Sequence, residues 1–263
     1  MNSSASFSLT RSLAALGTIL TFAVLPMVAA FADALPDTIR RVKPGIVGIG
    51  TVQKTRHPPI RLLATGFVVA DGQHVITNAH AIPDILDTEG REFLAVLVHE
   101  GKGAGRAATV VKRDRAHDLA LLRFSGSPLS TLRLADSGTV HEGELYAFTG
   151  FPIGMMLGMR PVTHRGIICS ITPIAIPQMS TQQLDPNMIR RLRNPYDVYQ
   201  LDATAYPGNS GSPRYDPTSG RVVGVINTVF VKETREAALE KPSGITYAIP
   251  SRYVQALLKN AGL

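Results

Sequence analysis

Short runs of apolar and β-branched residues recur along the chain from residue 46 onward, and most of them end near Gly, Asp or Pro. Runs of this length with turn residues between them predict β-strands, whereas helical periodicity is scarce. The predicted strands cover residues 46–51, 65–70, 74–77, 93–99, 107–112, 119–124, 144–149, 166–171, 198–201, 222–231 and 245–249. Many short strands in one chain favour an all-β fold, either a sandwich or a barrel.

Two segments have the features of helices. Residues 251–260 follow Pro250 and begin with Ser251, which we expect to be the N-cap. The apolar residues on one face of this helix would be Val254, Leu257 and Leu258. Residues 185–193 carry an apolar stripe inside the polar stretch 177–196, which predicts a helix within a long loop.

The first 32 residues have the features of an export signal. They contain no acidic residue, one basic residue (Arg11) and an apolar run at 13–25, and residues 30–32 fit an A-x-A cleavage site. We expect 1–32 to be removed as a signal peptide, which makes the protein exported, either periplasmic or secreted. The apolar run is short and broken by Gly17, which favours removal over a stable membrane anchor, although the anchor stays open.

Composition excludes some classes of protein. The net charge of +7 comes from basic residues that are mostly scattered, so we expect a solubilising surface and no nucleic-acid partner. The one cysteine, Cys169, cannot form an intramolecular disulfide, and its apolar neighbours predict a buried strand position. The histidines are dispersed and no H-E-x-x-H motif is present, so we expect no metal and no other cofactor.

A serine between glycines is the first candidate for chemistry. Ser210 lies in Gly-Asn-Ser-Gly-Ser-Pro at 208–213, where flanking glycines permit a tight turn. Backbone N–H groups of such a turn can stabilise an oxyanion beside the serine hydroxyl. The same residues are also typical of an ordinary turn between strands, so this motif alone leaves both interpretations open.

A histidine and an aspartate lie at the ends of predicted strands. His80 follows the strand at 74–77, and a rigid strand end could hold a general base. Asp118 precedes the strand at 119–124, and a buried carboxylate there could orient the imidazole. His117 is adjacent and should point the opposite way if Asp118 points inward. The chain order His, Asp, Ser is that of the chymotrypsin-type triad, not that of the α/β-hydrolases.

The ordered motifs resemble those of the trypsin-like peptidases of the HtrA/Deg group. The resemblance rests on residues 65–69, 75–81, 118–122, 134–137, 150–154, 163–170, 201–203, 208–211, 227–228 and 247–250. It covers the protease domain, and we expect this domain alone, without a PDZ domain. It implies two six-stranded antiparallel β-barrels of the chymotrypsin-like type and a C-terminal helix, within a domain at 33–263. The first barrel would span about 40–135, the second about 140–250, and the helix 251–260.

The resemblance also implies site residues. His80 and Asp118 would come from the first barrel and Ser210 from the second. The oxyanion hole would be formed by the backbone N–H groups of Gly208 and Ser210, with assistance from Asn209. The walls of the primary specificity pocket would be formed by Ala203, Thr204, Ala205 and Tyr206 on one side and by Ile226, Asn227 and Thr228 on the other.

The pocket residues limit the specificity. A pocket that takes Lys or Arg needs a carboxylate at its base, and neither Thr204 nor Ala205 is acidic. Residues 208–213 also resemble the glutamyl endopeptidases, but those enzymes read the substrate carboxylate with a histidine and a threonine. This chain has Ala205 and Asn227 in the matching region. We therefore expect a small or medium apolar side chain in the pocket.

Two functions remain in competition at this stage. The leading hypothesis is an exported serine endopeptidase acting on polypeptides, unfolded proteins among them. The alternative is a catalytically silent or zymogen-like protein of this fold that binds unfolded chains as a holdase. The presence of all three catalytic residue types favours the endopeptidase. The sequence gives no oligomeric state.

Overall fold

A computed structural model describes residues 34–98, 105–153, 158–174, 195–227 and 245–263. The predicted signal peptide, the predicted helix at 185–193 and Thr228 lie outside these ranges. None of the described helices is long and apolar enough to cross a membrane.

The strands within the described ranges form two closed barrels of six antiparallel strands each, which confirms the predicted fold class and excludes a sandwich. The first barrel has the strand order β1-β2-β3-β6-β5-β4 and the second β10-β11-β12-β9-β8-β7. The strands of the first barrel are β1 (Ile46–Val52), β2 (Ile60–Val69), β3 (His74–Asn78), β4 (Phe93–Leu97), β5 (Arg106–Asp114) and β6 (Leu119–Phe124). Those of the second are β7 (Leu145–Gly150), β8 (Val162–Pro173), β9 (Asp197–Asp202), β10 (Pro213–Tyr215), β11 (Val222–Asn227) and β12 (Ile245–Pro250).

In the part of the chain that the structure describes, an α-helix precedes the barrels in sequence and another follows them. Helix α1 (Leu35–Val42) precedes β1, and α2 (Ser251–Lys259) follows β12, where a C-terminal helix is predicted. Ser251 is the first helical residue and not the N-cap, because Pro250 occupies that position. The Ser251 hydroxyl donates instead to the carbonyl of Ala135 at 2.8 Å, which attaches the start of α2 to the segment between the barrels.

Alternating side chains divide the core into three clusters, since successive residues of a strand face opposite sides. One cluster draws only on the first barrel and includes Val47 and Val75, and a second draws on the second barrel and includes Phe148. A third joins the two barrels, for example through Phe67 and Val225, and takes in buried residues of both helices. The two barrels therefore share one apolar interface. Leu132 and Leu134, from the segment between the barrels, pack in the same cluster.

Cys169 is exposed, which corrects its predicted burial. In β8 the inward positions include Gly166 and Ile168, and the intervening Ile167 and Cys169 face outward. The run of apolar residues around Cys169 therefore covers both faces of the strand and gives no sign of which face the thiol takes.

Candidate active site

His80 and Asp118 lie side by side because the strands that carry them pair. Strand β3 ends at Asn78 and leads into a short 3₁₀ turn, Ala79–Ala81, that holds His80. Asp118 directly precedes β6, and Asn78 is the register partner of Leu119. The Asp118 carboxylate contacts His80 at two points: Oδ2 lies 2.7 Å from Nδ1, and Oδ1 accepts from the backbone N–H at 2.9 Å.

Asp118 has a left-handed backbone, with a φ of 54°. This conformation costs a non-glycine residue about 1–2 kcal/mol and therefore needs support from its surroundings. Support comes from two donors to the Asp118 carbonyl, the side-chain amide of Asn78 and the backbone N–H of Ala79, each at 3.1 Å. The strained turn fixes the direction in which the carboxylate leaves the backbone.

The carboxylate of Asp118 is buried, and it also receives a hydrogen bond from the second barrel. The side-chain amide of Asn227, at the end of β11, donates to Asp118 Oδ2 at 2.7 Å. An ionised carboxylate can only accept, so the His80 nitrogen facing it carries a proton and donates. The remaining ring nitrogen, Nε2, is then the one available as a proton acceptor.

The turn before Ser210 is a type II β-turn. Pro207 and Gly208 are its central residues, Gly208 has a φ of 102°, and the Asn209 N–H donates to the Tyr206 carbonyl at 2.9 Å. A type II turn requires a positive φ at its third residue, which glycine supplies without strain. Its central peptide is turned over relative to a type I turn, so the glycine fixes which way the Gly208 N–H points. None of the described residues accepts a hydrogen bond from that N–H.

Strand β2 of the first barrel fastens this turn. The Thr65 backbone N–H donates to the Ser210 carbonyl at 2.9 Å, and the Thr65 hydroxyl donates to the Gly208 carbonyl at 2.7 Å. The same hydroxyl accepts from the Phe151 N–H at 3.0 Å. One threonine of the first barrel thus holds two segments of the second.

The Asn209 side chain is fully buried and lies next to Gly150. A Cβ added at Gly150 would be 2.9 Å from Asn209 Oδ1, so glycine leaves the space that this amide occupies. The structure thus places the Asn209 side chain in the protein interior, beside the end of β7.

The residues predicted for the pocket separate into two groups. Residues 203–206 follow β9 and are partly exposed; Thr246 joins them by donating to the Ala203 carbonyl at 2.5 Å and accepting from the Ala205 N–H at 3.0 Å. The other group is buried. Ile226 packs in the core of the second barrel, and the Asn227 amide faces Asp118 instead of the solvent.

Residues 64–225, more than half of the chain, match the family model of the trypsin-like peptidase domain. The chain belongs to the trypsin-like peptidase family.

Relatives of this trypsin-like peptidase include HtrA-type proteases, which confirms the predicted resemblance. It is 27% identical to the probable periplasmic serine endoprotease DegP-like of Halomonas elongata, over 92% of this chain and 52% of that protein. It is 29% identical to the mitochondrial serine protease HTRA2 of Drosophila ananassae, over 75% of this chain and 38% of that protein. The chain therefore spans about half or less of the length of these relatives.

Solved structures agree with the barrel architecture. The HtrA-type proteases AlgWS227A with a tripeptide and AlgW with a decapeptide each superpose with a TM-score of 0.61 and cover 86% of this chain. The match covers 62% and 67% of those chains at 22% and 20% identity, respectively. At this identity the likeness shows the fold.

Sequence motifs alone miss some residues around the site of this peptidase. Thr65 lies in a predicted strand, but its contacts with residues 208–210 exist only once the barrels meet. His164 stacks on Phe148 with ring centroids 4.9 Å apart, and its ring lies 6.4 Å from that of Tyr206. Burial lowers the pKa of His164, so its ring is neutral near pH 7. The pairing of β7 with β8 sets this position, and no local pattern signals it.

Proposed function

We propose that this trypsin-like peptidase is an exported serine endopeptidase that cleaves polypeptides with His80, Asp118 and Ser210. The observation that carries the proposal is the contact of 2.7 Å between His80 Nδ1 and Asp118 Oδ2. It fixes the imidazole in the tautomer that a general base needs. The named serine proteases among its relatives support the same activity.

The proposed reaction assigns one role to each of these three residues. Ser210 Oγ attacks the carbonyl carbon of the scissile peptide bond while its proton moves to His80 Nε2. The C–N bond then breaks as His80 returns that proton to the departing amine, which leaves an ester on Ser210. Water attacks the ester in the same way and releases the new carboxylate. Asp118 stays ionised and stabilises the imidazolium in both halves.

The backbone N–H groups of Gly208 and Ser210 would stabilise the oxyanion. The type II turn supports this role because it sets the direction of the Gly208 N–H, and Thr65 holds the turn by its carbonyls. Loss of one such donor typically costs a factor of about 10²–10³ in kcat. General base catalysis contributes about 10²–10⁴, so both parts are needed for efficient turnover.

Labelling with a fluorophosphonate probe tests this proposal, because such probes react with an activated serine. We expect the protein without residues 1–32 to take up one label per chain and to lose it in Ser210→Ala. Ser212→Ala is the matched control, since Ser212 is also buried and lies two residues away. Cleavage of an unfolded protein substrate should follow the label in all three proteins.

The same experiment separates the alternative function. A folded protein that binds unfolded chains but takes up no label would be a catalytically silent or zymogen-like holdase, and the endopeptidase proposal would fail. If the wild-type protein and Ser210→Ala both took up the label, the nucleophile would be a residue other than Ser210.

Substrate and location belong to the proposal as well. The AlgW structures with peptides and the periplasmic relative support polypeptide substrates and export. The partly exposed stretch 203–206 contains no charged side chain, which supports a pocket for a small or medium apolar residue. This preference stays a prediction.

A further inference from the structure

A second His–Asp pair lies immediately before Asp118. His117 Nδ1 lies 2.6 Å from Asp114 Oδ2, and Asp114 Oδ1 accepts from the backbone N–H groups of Ala116 and His117 at 3.1 Å each. Burial alone would raise the pKa of Asp114. Hydrogen bonds from the His117 side chain and backbone lower this pKa by more than burial raises it, so the net shift is downward. Asp114 is therefore an ionised acceptor near pH 7, and it fixes the direction of the His117 ring.

The His117 ring packs against two tyrosines from distant parts of the chain. It stacks on Tyr253 of α2, with centroids 4.1 Å apart and planes at 20°. The centroid of the Tyr196 ring, just before β9, lies 4.7 Å from that of His117 with the planes at 65°, and the two tyrosine centroids are 5.2 Å apart. Each such ring pair contributes about 0.5–1.5 kcal/mol beyond its buried area. We call His117, Tyr196 and Tyr253 the ring cluster.

The ring cluster meets the site at one peptide bond. The left-handed φ of Asp118 is the rotation about its N–Cα bond, and this nitrogen belongs to the peptide bond between His117 and Asp118. Because the peptide is planar, a shift of the His117 backbone rotates Asp118 and moves its carboxylate. Hydrogen bonds hold the carbonyl and the carboxylate of Asp118, and the ring contacts of His117 hold the residue before it.

We propose that His117 is a positioning residue for the reaction: its ring, held by Tyr253 and Tyr196, keeps Asp118 aimed at His80. The proposal rests on the proposed function for its kinetic consequence, and its geometry stands independently of that function. The ring contacts do the positioning, whereas the bond to Asp114 orients the ring. A charge on His117 is not required.

Kinetics of His117→Ala and His117→Phe provide the test. We expect His117→Ala to lower kcat by about ten-fold or more while KM changes less than two-fold, because substrate contacts are untouched. The acidic limb of the kcat/KM profile should move to lower pH, since a misplaced Asp118 stabilises protonated His80 less. His117→Phe keeps both ring contacts and should recover most of kcat.

The matched control is His74→Ala. His74 forms the same kind of pair three residues from its aspartate, with Nδ1 2.7 Å from Asp71 Oδ1, on the turn between β2 and β3. A merely structural role for such a pair predicts equal effects in the two alanine variants. We expect His74→Ala to lose thermal stability but to keep its kcat and pH profile.

A spectroscopic readout separates this proposal from the proposed function. The proton in the His80 Nδ1–Asp118 hydrogen bond should give a downfield NMR signal whether or not the protein turns over substrate. We expect His117→Ala to shift or broaden this signal and His74→Ala to leave it in place. If His117→Ala does not fold, Tyr253→Leu removes the stacking partner from α2 and should have the same effect.

The outcomes for the positioning role of His117 and for the endopeptidase activity are distinguishable. An unchanged signal and unchanged kcat in His117→Ala and Tyr253→Leu would overturn the positioning role while leaving the endopeptidase intact. A wild-type protein that shows the signal but no label or turnover would refute the endopeptidase, and the shift of the signal would still judge His117. Equal loss of kcat in His117→Ala and His117→Phe would show that the rings are not what positions Asp118.

Discussion

Gly211 illustrates how one missing side chain permits the site. Its φ is 84°, and an added Cβ would lie 2.1 Å from the carbonyl oxygen of Thr65 and 2.5 Å from the hydroxyl of Thr77. Both neighbours belong to the first barrel, so the glycine allows the nucleophile loop to approach it. Close approach and positive φ are separate requirements. Gly143 has a positive φ but no neighbour close to an added Cβ.

We expect Gly211→Ala to destabilise the fold by about 3 kcal/mol or more and to abolish the fluorophosphonate label. Gly143→Ala is the control, because Gly143 has a φ of 85° and nothing within 4 Å of an added Cβ. That variant should lose only about 1–2 kcal/mol, the cost of the left-handed backbone, and keep its label. Urea unfolding gives both numbers; equal losses would mean that the contact with Thr65 is not limiting.

At the same scale, the residues that could be predicted from sequence are those with local signals. Ser210 stands between glycines, and His80 and Asp118 lie at strand ends in a known order. Thr65 and the amide of Asn227 act through hydrogen bonds across the two barrels, and such bonds leave no pattern in either strand. The resemblance implies a place for Asn227 in the pocket wall, and the structure directs its amide to Asp118.

Strand β2 shows how one element connects the barrels. Its Thr65 hydroxyl bridges the Gly208 carbonyl and the Phe151 N–H, and all of these groups are buried. Replacing a buried hydroxyl by a methyl group leaves its partners without hydrogen bonds, which costs about 1–3 kcal/mol. The loss would fall on the turn that sets the Gly208 N–H.

We expect Thr65→Val to lower stability by about 1–3 kcal/mol and to reduce kcat at least ten-fold with little change in KM. Thr149→Val is a matched control. The Thr149 hydroxyl is also buried, with contacts of 2.8 Å to Thr163 and 2.7 Å to Tyr215, but none of these contacts reaches the turn at 206–209. It should lose similar stability and keep kcat. Normal turnover in Thr65→Val would show that the turn holds its shape without this strand.

Apolar runs predict every strand of the structure except β10. That strand has three residues, begins with proline and contains Arg214, so it lacks the composition of a strand. Arg214 is nevertheless fully buried: it donates to the Gly166 carbonyl at 2.8 Å and lies over the Tyr146 ring at 5.3 Å. Burial lowers its pKa to about 9. A charged residue in a barrel interior is a tertiary outcome that hydrophobic patterning cannot indicate.

On the scale of the whole molecule, we expect the free energy of unfolding to fall in acid, because several carboxyl groups have lowered pKa values in the folded protein. Five described carboxyl groups have pKa values below their usual ones: Asp71, Asp84, Glu92, Asp114 and Glu144. A lowered folded-state pKa means that the unfolded chain binds more protons in acid, so stability falls as pH falls. The contribution is complete above the unfolded pKa values and is lost as the pH falls from those values through the folded ones.

Glu92 gives the clearest test. Hydrogen bonds from the side chains of Thr51 and Arg56 and from the Asp87 N–H hold its pKa at about 2, against the usual 4.5. We expect Glu92→Gln to lower the free energy of unfolding by about 1 kcal/mol at pH 7, after screening by solvent. The difference in this free energy from wild type should become smaller between pH 4.5 and 2.

Glu89→Gln is the control, because Glu89 is exposed and makes no ion pair with a described residue. Urea unfolding at pH 7, 4.5 and 3 gives the three differences. A constant difference between Glu92→Gln and wild type across this range would show that the variant acts through packing, because only a change in proton binding makes the difference depend on pH.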